Sequence, residues 1–346
     1  MEILKWVLIG IGVAALSLGI FLAVETMRDY SPPQVVDLQR TGEALEESPE
    51  EITVFTWNIG YAGLGAEADF FNDGGKMSIP PRDLFEKYLE GILGVVDTWK
   101  ASVDVFFFQE VDRDSDRTYH VDEYEELRKV LGGFASTFAY NYVVDFVPVP
   151  LTHPMGKVVS GMAIFSRYGF HSPKRLKLPG EYPWPEKLFY LDRCMIVVRV
   201  PAPGGKEWVL INTHNSAFDK GDQRSQQLGF IKDFIISEYE KGNYVVIGGD
   251  WNLMLGGDFE HTEEPEEFYL PFPKEWTPEG WKWAIDYSVP TNRALKAPYE
   301  KGKTFVTIID AFLVSPNVEV EWVKGIDLDF RYSDHNPVVA KFKAVF

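Results

Sequence analysis

Eight short stretches dominated by Val, Ile and Phe recur between residues 52 and 345, and most of them close on polar residues. They are ITVFTWN (52–58), VDVFFFQE (103–110), GMAIFSR (161–167), RCMIVVRV (193–200), EWVLINTH (207–214), NYVVIGGDWN (243–252), TFVTIIDAFLV (304–314) and NPVVAKFKAV (336–345). Such composition suits strands buried on at least one face. Two helical patterns lie between them. RDLFEKYLEGILGVVDTW (82–99) sets Phe85, Leu89, Ile92, Leu93 and Val96 along one stripe. GDQRSQQLGFIKDFIISEYE (221–240) repeats Leu228, Ile231, Phe234 and Ile235, with Asp222 near its N-cap. Strands mixed with helices, with no internal repeat, predict one large α/β (α+β) domain over 52–346. The aromatic-rich segments 146–154, 179–190 and 259–303 lack periodicity and are expected to be long loops over one edge.

The N-terminus is different. Residues 6–24, WVLIGIGVAALSLGIFLAV, carry no charge and are flanked by Lys5 and by Glu25, Arg28 and Asp29. This is about the length a helix needs to cross a bilayer. A cleaved signal peptide usually has an apolar core of only about 7–15 residues, and Phe21 stands two positions before the candidate cleavage point after Ala23. Residues 1–24 are therefore expected to be a membrane anchor and 25–51, acid-rich with Pro32 and Pro33, a linker. Lys5 precedes the span and acids follow it, so the domain is expected outside the cytoplasm, periplasmic or extracellular.

Charge narrows the partners. The chain carries −18, and residues 1–51 hold three basic against nine acidic residues, which leaves about −12 on the domain. Such a surface opposes polyanions unless a local basic patch or a metal intervenes. A single cysteine, Cys194, excludes an intrachain disulfide and cysteine-based zinc modules.

The polar strand ends carry the chemistry. Asn58 closes the first run, Glu110 the second after three phenylalanines, and His214 the fifth; Asp250 and Asn252 end VVIGGDWN, Asp310 lies in FVTIID, and Asp334 and His335 precede the last run. A carboxylate in such surroundings is costly to bury unless it is paired or binds a cation. Glu110, Asn58 and Asp334 offer only oxygen ligands, the hard donors that suit Mg²⁺ or Mn²⁺. A neighbouring acid and histidine can orient and deprotonate water. Taken one at a time, each of these residues is equally consistent with a cap or a turn.

The ordered set TWNIG, FFFQEVD, GMAIFSR, LINTHNSAFD, VVIGGDWN, TIIDAFLVSP and YSDHNPV resembles the endonuclease/exonuclease/phosphatase superfamily, over roughly residues 52–346. The resemblance implies a four-layer α/β/β/α sandwich of two mixed sheets and a metal-dependent phosphoester hydrolase. It implies Glu110 as principal metal ligand, with Asn58 and Asp334, and Mg²⁺ or Mn²⁺ as the ion. It implies His335 as general base oriented by Asp310, Asp250 positioning the water, and Asn252 and His214 on the phosphate. Asn215 and Ser216 follow His214 where many relatives have Leu.

Three functions stay open on the sequence. A membrane-anchored hydrolase of a phospholipid head group or small phosphorylated metabolite fits the anchor, the acidity and Trp184, Trp276, Trp281 and Trp283, which would suit a bilayer interface or plain packing. A surface or periplasmic nuclease would need a basic groove, and only HSPKRLK (171–177) clusters basic residues. A non-catalytic binding module is the third. Loop 61–82 is expected to be mobile over the cleft, with Lys76 either a solvated charge on that loop or a contact to a substrate phosphate. No protein partner is implied.

Overall fold

Alternation along the apolar runs sorts side chains onto two faces of each strand, and the chain satisfies both faces by stacking two sheets and covering each with helices. The computed structural model describes residues 1–218 and 222–345. Its helices are α1 (Glu2–Arg28), α2 (Arg82–Trp99), α3 (Glu123–Val130) and α4 (Asp222–Glu240). The first strands are β1 (Val35–Asp37), β2 (Glu51–Asn58), β3 (Val105–Asp112), β4 (Ala135–Val147), β5 (Gly156–Ser166), β6 (His171–Lys177), β7 (Cys194–Ala202) and β8 (Lys206–His214). There follow β9 (Tyr244–Asp250), β10 (Lys282–Ala284), β11 (Asn292–Arg293), β12 (Val306–Thr307), β13 (Asp310–Val314), β14 (Val318–Gly325) and β15 (Val338–Ala344).

One sheet has the order β1-β6-β7-β8-β9-β13-β10 and the other β14-β15-β2-β3-β5-β4; β11 and β12 form a separate ribbon. Between the sheets pack Val54, Phe107, Ile196, Leu210, Val246 and Phe342, among others. Phe55, Trp57, Phe106 and Phe108 face the other way, against α2 and α3. Val245, Ile247 and Val209 face α4. This is the expected four-layer sandwich of two mixed sheets. The helical stripes also appear: Phe85, Ile92 and Val96 of α2, and Leu228, Ile231 and Ile235 of α4, are buried. Asp222 is the first residue of α4, and the expected helix start at Gly221 lies outside the described residues.

The N-terminal segments differ from expectation in part. α1 is long and apolar enough to cross a membrane, with 0% of its apolar window buried, and it runs on to Arg28. The segment expected to hang as a linker is instead partly built in. β1 pairs antiparallel with β6, Thr41 bridges to Ser136, and Leu45 bridges to Tyr168. An unpaired sheet edge is a row of free backbone donors and acceptors, and β1 covers the β6 edge despite its acidity.

Candidate active site

The topology brings the polar strand ends to one edge. β2 and β3 run parallel, as do β8 and β9, so Asn58, Glu110, His214 and Asp250 all sit at carboxyl ends. β13 runs antiparallel to β9 with Asp310 opposite Asp250, and β15 runs antiparallel to β2. Their amino ends therefore lie at the same edge, which delivers Asp310 and, just before β15, Asp334 and His335. Asn58 Nδ2 in one sheet donates to Asp250 Oδ2 in the other at 3.0 Å, and to Glu110 Oε1 at 3.0 Å. The site straddles the mouth between the sheets.

Two local devices aim these groups. Strict alternation would turn Glu110 to the face of Phe108, towards the helices. The β3 register with β5 breaks between Phe108 and Val111, and Glu110 takes φ +53°, so a bulge re-aims its carboxylate into the mouth. Gln109 beside it is fully buried and donates to Asn212 Oδ1 at 2.6 Å and Thr56 Oγ1 at 3.1 Å, tying β3 to β8 across the sandwich. The second device is Gly60 (φ +52°), whose N–H donates to Asn58 Oδ1 at 3.0 Å. A Cβ there would stand 2.8 Å from Asp334 Oδ1. Asn58 consequently shows its amide nitrogen to the acids, and as a cation ligand it would need that amide turned over.

His335 Nδ1 lies 2.8 Å from Asp310 Oδ2, both side chains being almost fully buried. Its Nε2 is 3.1 Å from Asn292 Nδ2 and 3.8 Å from both Asp250 Oδ2 and Asp334 Oδ2. The ring's backbone is pinned as well: Trp57 Nε1 donates to its carbonyl, and its N–H donates to Ser333 Oγ. Burial works to lower the His335 pKa, but Asp310, Asp334 and Asp250 outweigh it and hold the imidazole well above its ordinary value. His214 goes the other way: burial, then Arg193 and His335, hold it well below. Its Nε2 is 3.4 Å from Asp250 Oδ2 and 3.7 Å from Glu110 Oε1, and its buried Nδ1 has no partner. Burial pushes Asp250 up to about 7, although His335 opposes it, and Asp334 up to about 6.

These shifts mark crowded, buried acids short of positive charge, which is the electrostatic condition a cation relieves. Among the described residues, Glu110, His214 and Asp250 present ligand atoms within 4.8 Å of one another, as do Asp250, Asp310 and His335. Asp334 adjoins the second group through His335 Nε2 at 3.8 Å and is itself raised by the charge of Glu110 in the first. The donor set is mainly carboxylate oxygen and fits a hard divalent ion.

The site opens into a cavity of about 180 Å³. Aromatic side chains such as Phe70, Phe71, Tyr142, Phe189, Phe218 and Tyr269 form much of its wall, with His214, Asp250, Asn252, Asp334 and His335 at one end. Asn252, at φ +51° after the buried Trp251, donates through Nδ2 to the Asn215 carbonyl at 2.8 Å. Its N–H closes onto Asp250 Oδ1 at 2.8 Å. Loop 61–82 supplies Tyr61, Leu64, Phe70 and Asp73 to the wall, whereas Lys76 is exposed and outside it. The lysine at the loop tip is thus a solvated charge, and the loop contributes rings instead. Burial, then Asp334, Glu266 and Glu110, push Asp73 up to about 8, so it is mostly neutral near pH 7.

Sequence reasoning missed the cavity's basic residues. Arg193 opens the run RCMIVVRV and lines the cavity with Nη1 unpartnered. Burial lowers its pKa, and Glu110 and Asp250 oppose that shift. Arg117, paired with Asp112 at 2.8 Å and stacked 3.6 Å over Tyr61, and Arg293, bonded to the carbonyls of Leu64, Gly65 and Ala68, brace the same wall. An arginine at a strand start carries no local signal for this. Of the four tryptophans, Trp276 and Trp281 are buried and Trp283 packs on Trp251, so those three are core; Trp184 is 57% exposed.

No curated protein matches the chain in sequence. Solved structures match its fold. An endonuclease/exonuclease/phosphatase from Beutenbergia cavernae superposes with TM-score 0.59 at 20% identity, covering 86% of this chain and 72% of its own. The human Nocturnin catalytic domain with bound sulfate gives TM-score 0.52 at 20% identity, covering 91% of this chain and 100% of its own. An endonuclease/exonuclease/phosphatase from Bacteroides vulgatus gives TM-score 0.52 at 18% identity, covering 85% and 99%. The Endonuclease/Exonuclease/phosphatase family itself matches residues 55–335, from the second strand of the sandwich to His335. With that span matched and the strand ends converging as they do, the chain belongs to the Endonuclease/Exonuclease/phosphatase family of phosphoester hydrolases.

Proposed function

We propose that the protein is a divalent-metal-dependent phosphoester hydrolase, anchored in a membrane by α1, that cleaves a phospholipid head group or small phosphorylated metabolite. The observation that carries this reading is the Asp310 carboxylate 2.8 Å from His335 Nδ1, set among acids at the head of an aromatic cavity. With Nδ1–H committed to Asp310, Nε2 is the base that takes a proton from water; the acids that hold the imidazole high would be offset by a cation bound among them, leaving Nε2 free to accept. Asp310 holds that tautomer and stabilises the imidazolium that forms. Asp250, 3.8 Å from Nε2, positions the water. His214, Arg193 and the remaining amide hydrogen of Asn252 contact the phosphate; Arg193 brings a full charge with an unused donor. Glu110, Asp334 and, after its amide turns, Asn58 would hold Mg²⁺ or Mn²⁺, which when bound neutralises phosphate oxygens and the departing oxygen. The flanking charges of α1 support a domain outside the cytoplasm, and residues 52–346 would form the catalytic unit.

The nuclease reading is less well supported. The one basic cluster is spent on structure: Lys174 pairs with Asp37 at 2.6 Å, Arg175 bonds the carbonyls of Tyr140 and Asp192, and Lys177 pairs with Glu181. The full chain in detergent or nanodiscs, assayed with Mg²⁺ or Mn²⁺ on a bis-aryl phosphodiester, plasmid DNA, sphingomyelin and inositol phosphates, tests the proposal. A lipid or small phosphoester should be cleaved, with activity lost in EDTA and in His335→Ala. Cleavage of DNA alone would establish the nuclease, and inertness towards every phosphoester would leave a binding module.

A further inference from the structure

The catalytic cavity and the membrane helix meet at one place. Residues 2–20 of α1 are exposed along their whole length, and the helix touches the domain only from Phe21 onward. The Phe21 ring stacks on Phe189 at 5.9 Å and 8° and meets Phe146 edge-on at 6.3 Å. One turn later the contacts become polar. Trp184 Nε1 donates to Thr26 Oγ1 at 3.1 Å, Arg28 pairs with Asp145 at 3.0 Å, and Lys187 lies 3.5 Å from Asp29. At about 1.5 Å per residue the apolar stretch 6–24 spans about 28 Å, close to the hydrocarbon thickness of a bilayer. Phe21 then sits inside the hydrocarbon edge and Thr26 to Asp29 at the head groups, so Phe146 and Phe189 share the depth of Phe21.

The loops holding those residues carry further apolar side chains in the open. Leu151 is 88% exposed, Trp184 57%, Val149 42% and Phe146 41%. The same loops wall the cavity: Val147, Val149, Met155, Phe189 and Leu191 line it, and most of them form one cluster with Tyr142, Phe70 and Phe71. Phe189, on which Phe21 stacks, therefore joins α1 to the apolar wall of the cavity that holds the catalytic groups. A tryptophan with its indole N–H on a polar partner and its ring exposed suits the boundary between head groups and chains.

We propose that the loops at 145–155 and 182–191 seat in the bilayer that α1 spans, and that the cavity opens onto it. An acyl-bearing phospholipid then enters from the membrane with its phosphate at His335 and its chains against Val147, Met155 and Phe189. The identity of this substrate rests on the hydrolase reading above; the seating of the rim does not. Continuity with α1 is what selects lipid over a second copy of the chain or another protein.

The experiment uses the full chain in phosphatidylcholine nanodiscs. Cys194, the sole cysteine, is buried, so a Leu151→Cys variant can carry an environment-sensitive fluorophore at a position that makes no packing contacts in the core. Brominated acyl chains should quench that label as they quench one at Val24→Cys, and not one at Glu319→Cys on the far end of β14. In parallel, Leu151→Glu should cut hydrolysis of bilayer phospholipid by about tenfold or more, by removing an apolar anchor, and leave a water-soluble bis-aryl phosphodiester unaffected. Quenching without hydrolysis of any phosphoester would uphold the seating and overturn the substrate assignment. An unquenched Leu151 label on an active enzyme, equal losses on both substrates, or cross-links between two Leu151→Cys chains would overturn the seating.

Discussion

Changing Asp310 to Asn alters one bond and little else. The carboxylate is buried at 2% exposure, does not line the cavity, and meets His335 Nδ1 at 2.8 Å through Oδ2 while its own N–H donates to Thr291 Oγ1 at 3.0 Å. Asn keeps the shape and loses the charge. At this separation an imidazolium and a carboxylate attract by about 6 kcal/mol at an effective dielectric of about 20, and a charge-assisted hydrogen bond is worth about 1.5–3 kcal/mol net. There is also a tautomer penalty. Asn292 Nδ2 donates towards Nε2 at 3.1 Å, which suits a ring protonated on Nδ1. An amide nitrogen at position 310 would favour the opposite tautomer, whose Nε2 cannot accept a proton. A loss of about 3–6 kcal/mol corresponds to about 10²–10⁴ in kcat, the upper end being the cost of the wrong tautomer in triad hydrolases. Steady-state kinetics on the best substrate of the panel, at saturating Mg²⁺, should show kcat falling by that amount with KM nearly unchanged. A thermal melt should fall as well, because the buried imidazolium loses the carboxylate that holds its proton, so the rates are compared well below the variant's melting temperature. Should kcat stay within about threefold of the parent, or only KM change, His335 is not a base oriented by Asp310 and the catalytic assignment is wrong.

Gly60→Ala should act at the ion site more than on the fold. The left-handed φ of +52° costs about 1 kcal/mol, or a few degrees in melting temperature. The new Cβ, 2.8 Å from Asp334 Oδ1, should raise the Mg²⁺ concentration needed for half-maximal activity. A Mg²⁺ titration that superimposes on the parent's would refute this. Asp192 offers a test by pH. Burial, partly opposed by Lys177 and Arg175, pushes its carboxyl up to about 6. Because the folded value lies above the unfolded one, its stabilising share is complete below about pH 4 and is lost as pH rises through about 6. Asp192→Asn should therefore be more stable than the parent at pH 8, by about 1–3 kcal/mol, and indistinguishable from it at pH 4. Equal differences in denaturation midpoint at both pH values would refute the assignment.

Seven of the eight apolar runs each became one strand, since a period of two with β-branched and aromatic residues is decided within each segment; the run 304–314 broke instead into β12, in the separate ribbon, and β13, in the seven-stranded sheet. Their polar ends were equally legible: Asn58, Glu110, His214, Asp250, Asp310 and His335 do converge. Other parts were not. β4 and β14 mix polar and apolar residues because each lies at a sheet edge, and β1 exists only because the β6 edge was open to it. Glu110 points into the mouth through a bulge that alternation contradicts. Lys76 could be read either as a solvated charge or as a phosphate contact; it is exposed, and the cavity takes Phe70 and Phe71 from that loop instead. Arg193 looked like the first residue of a strand and lines the cavity with Nη1 unpartnered.

What could be read from the chain alone was local: where strands begin and end, which residues close them, and that an apolar helix of bilayer length stands apart at the N-terminus. Those properties depend on neighbours a few positions away. Which way Glu110 turns, that Asn58 reaches Asp250 across the sandwich, and that Phe21 of the apolar N-terminal helix lies on Phe189 of the cavity wall were settled only by packing. They join residues 52, 192 and 168 positions apart, and no local pattern encodes contacts whose geometry is set by how two sheets and a helix come to rest on one another.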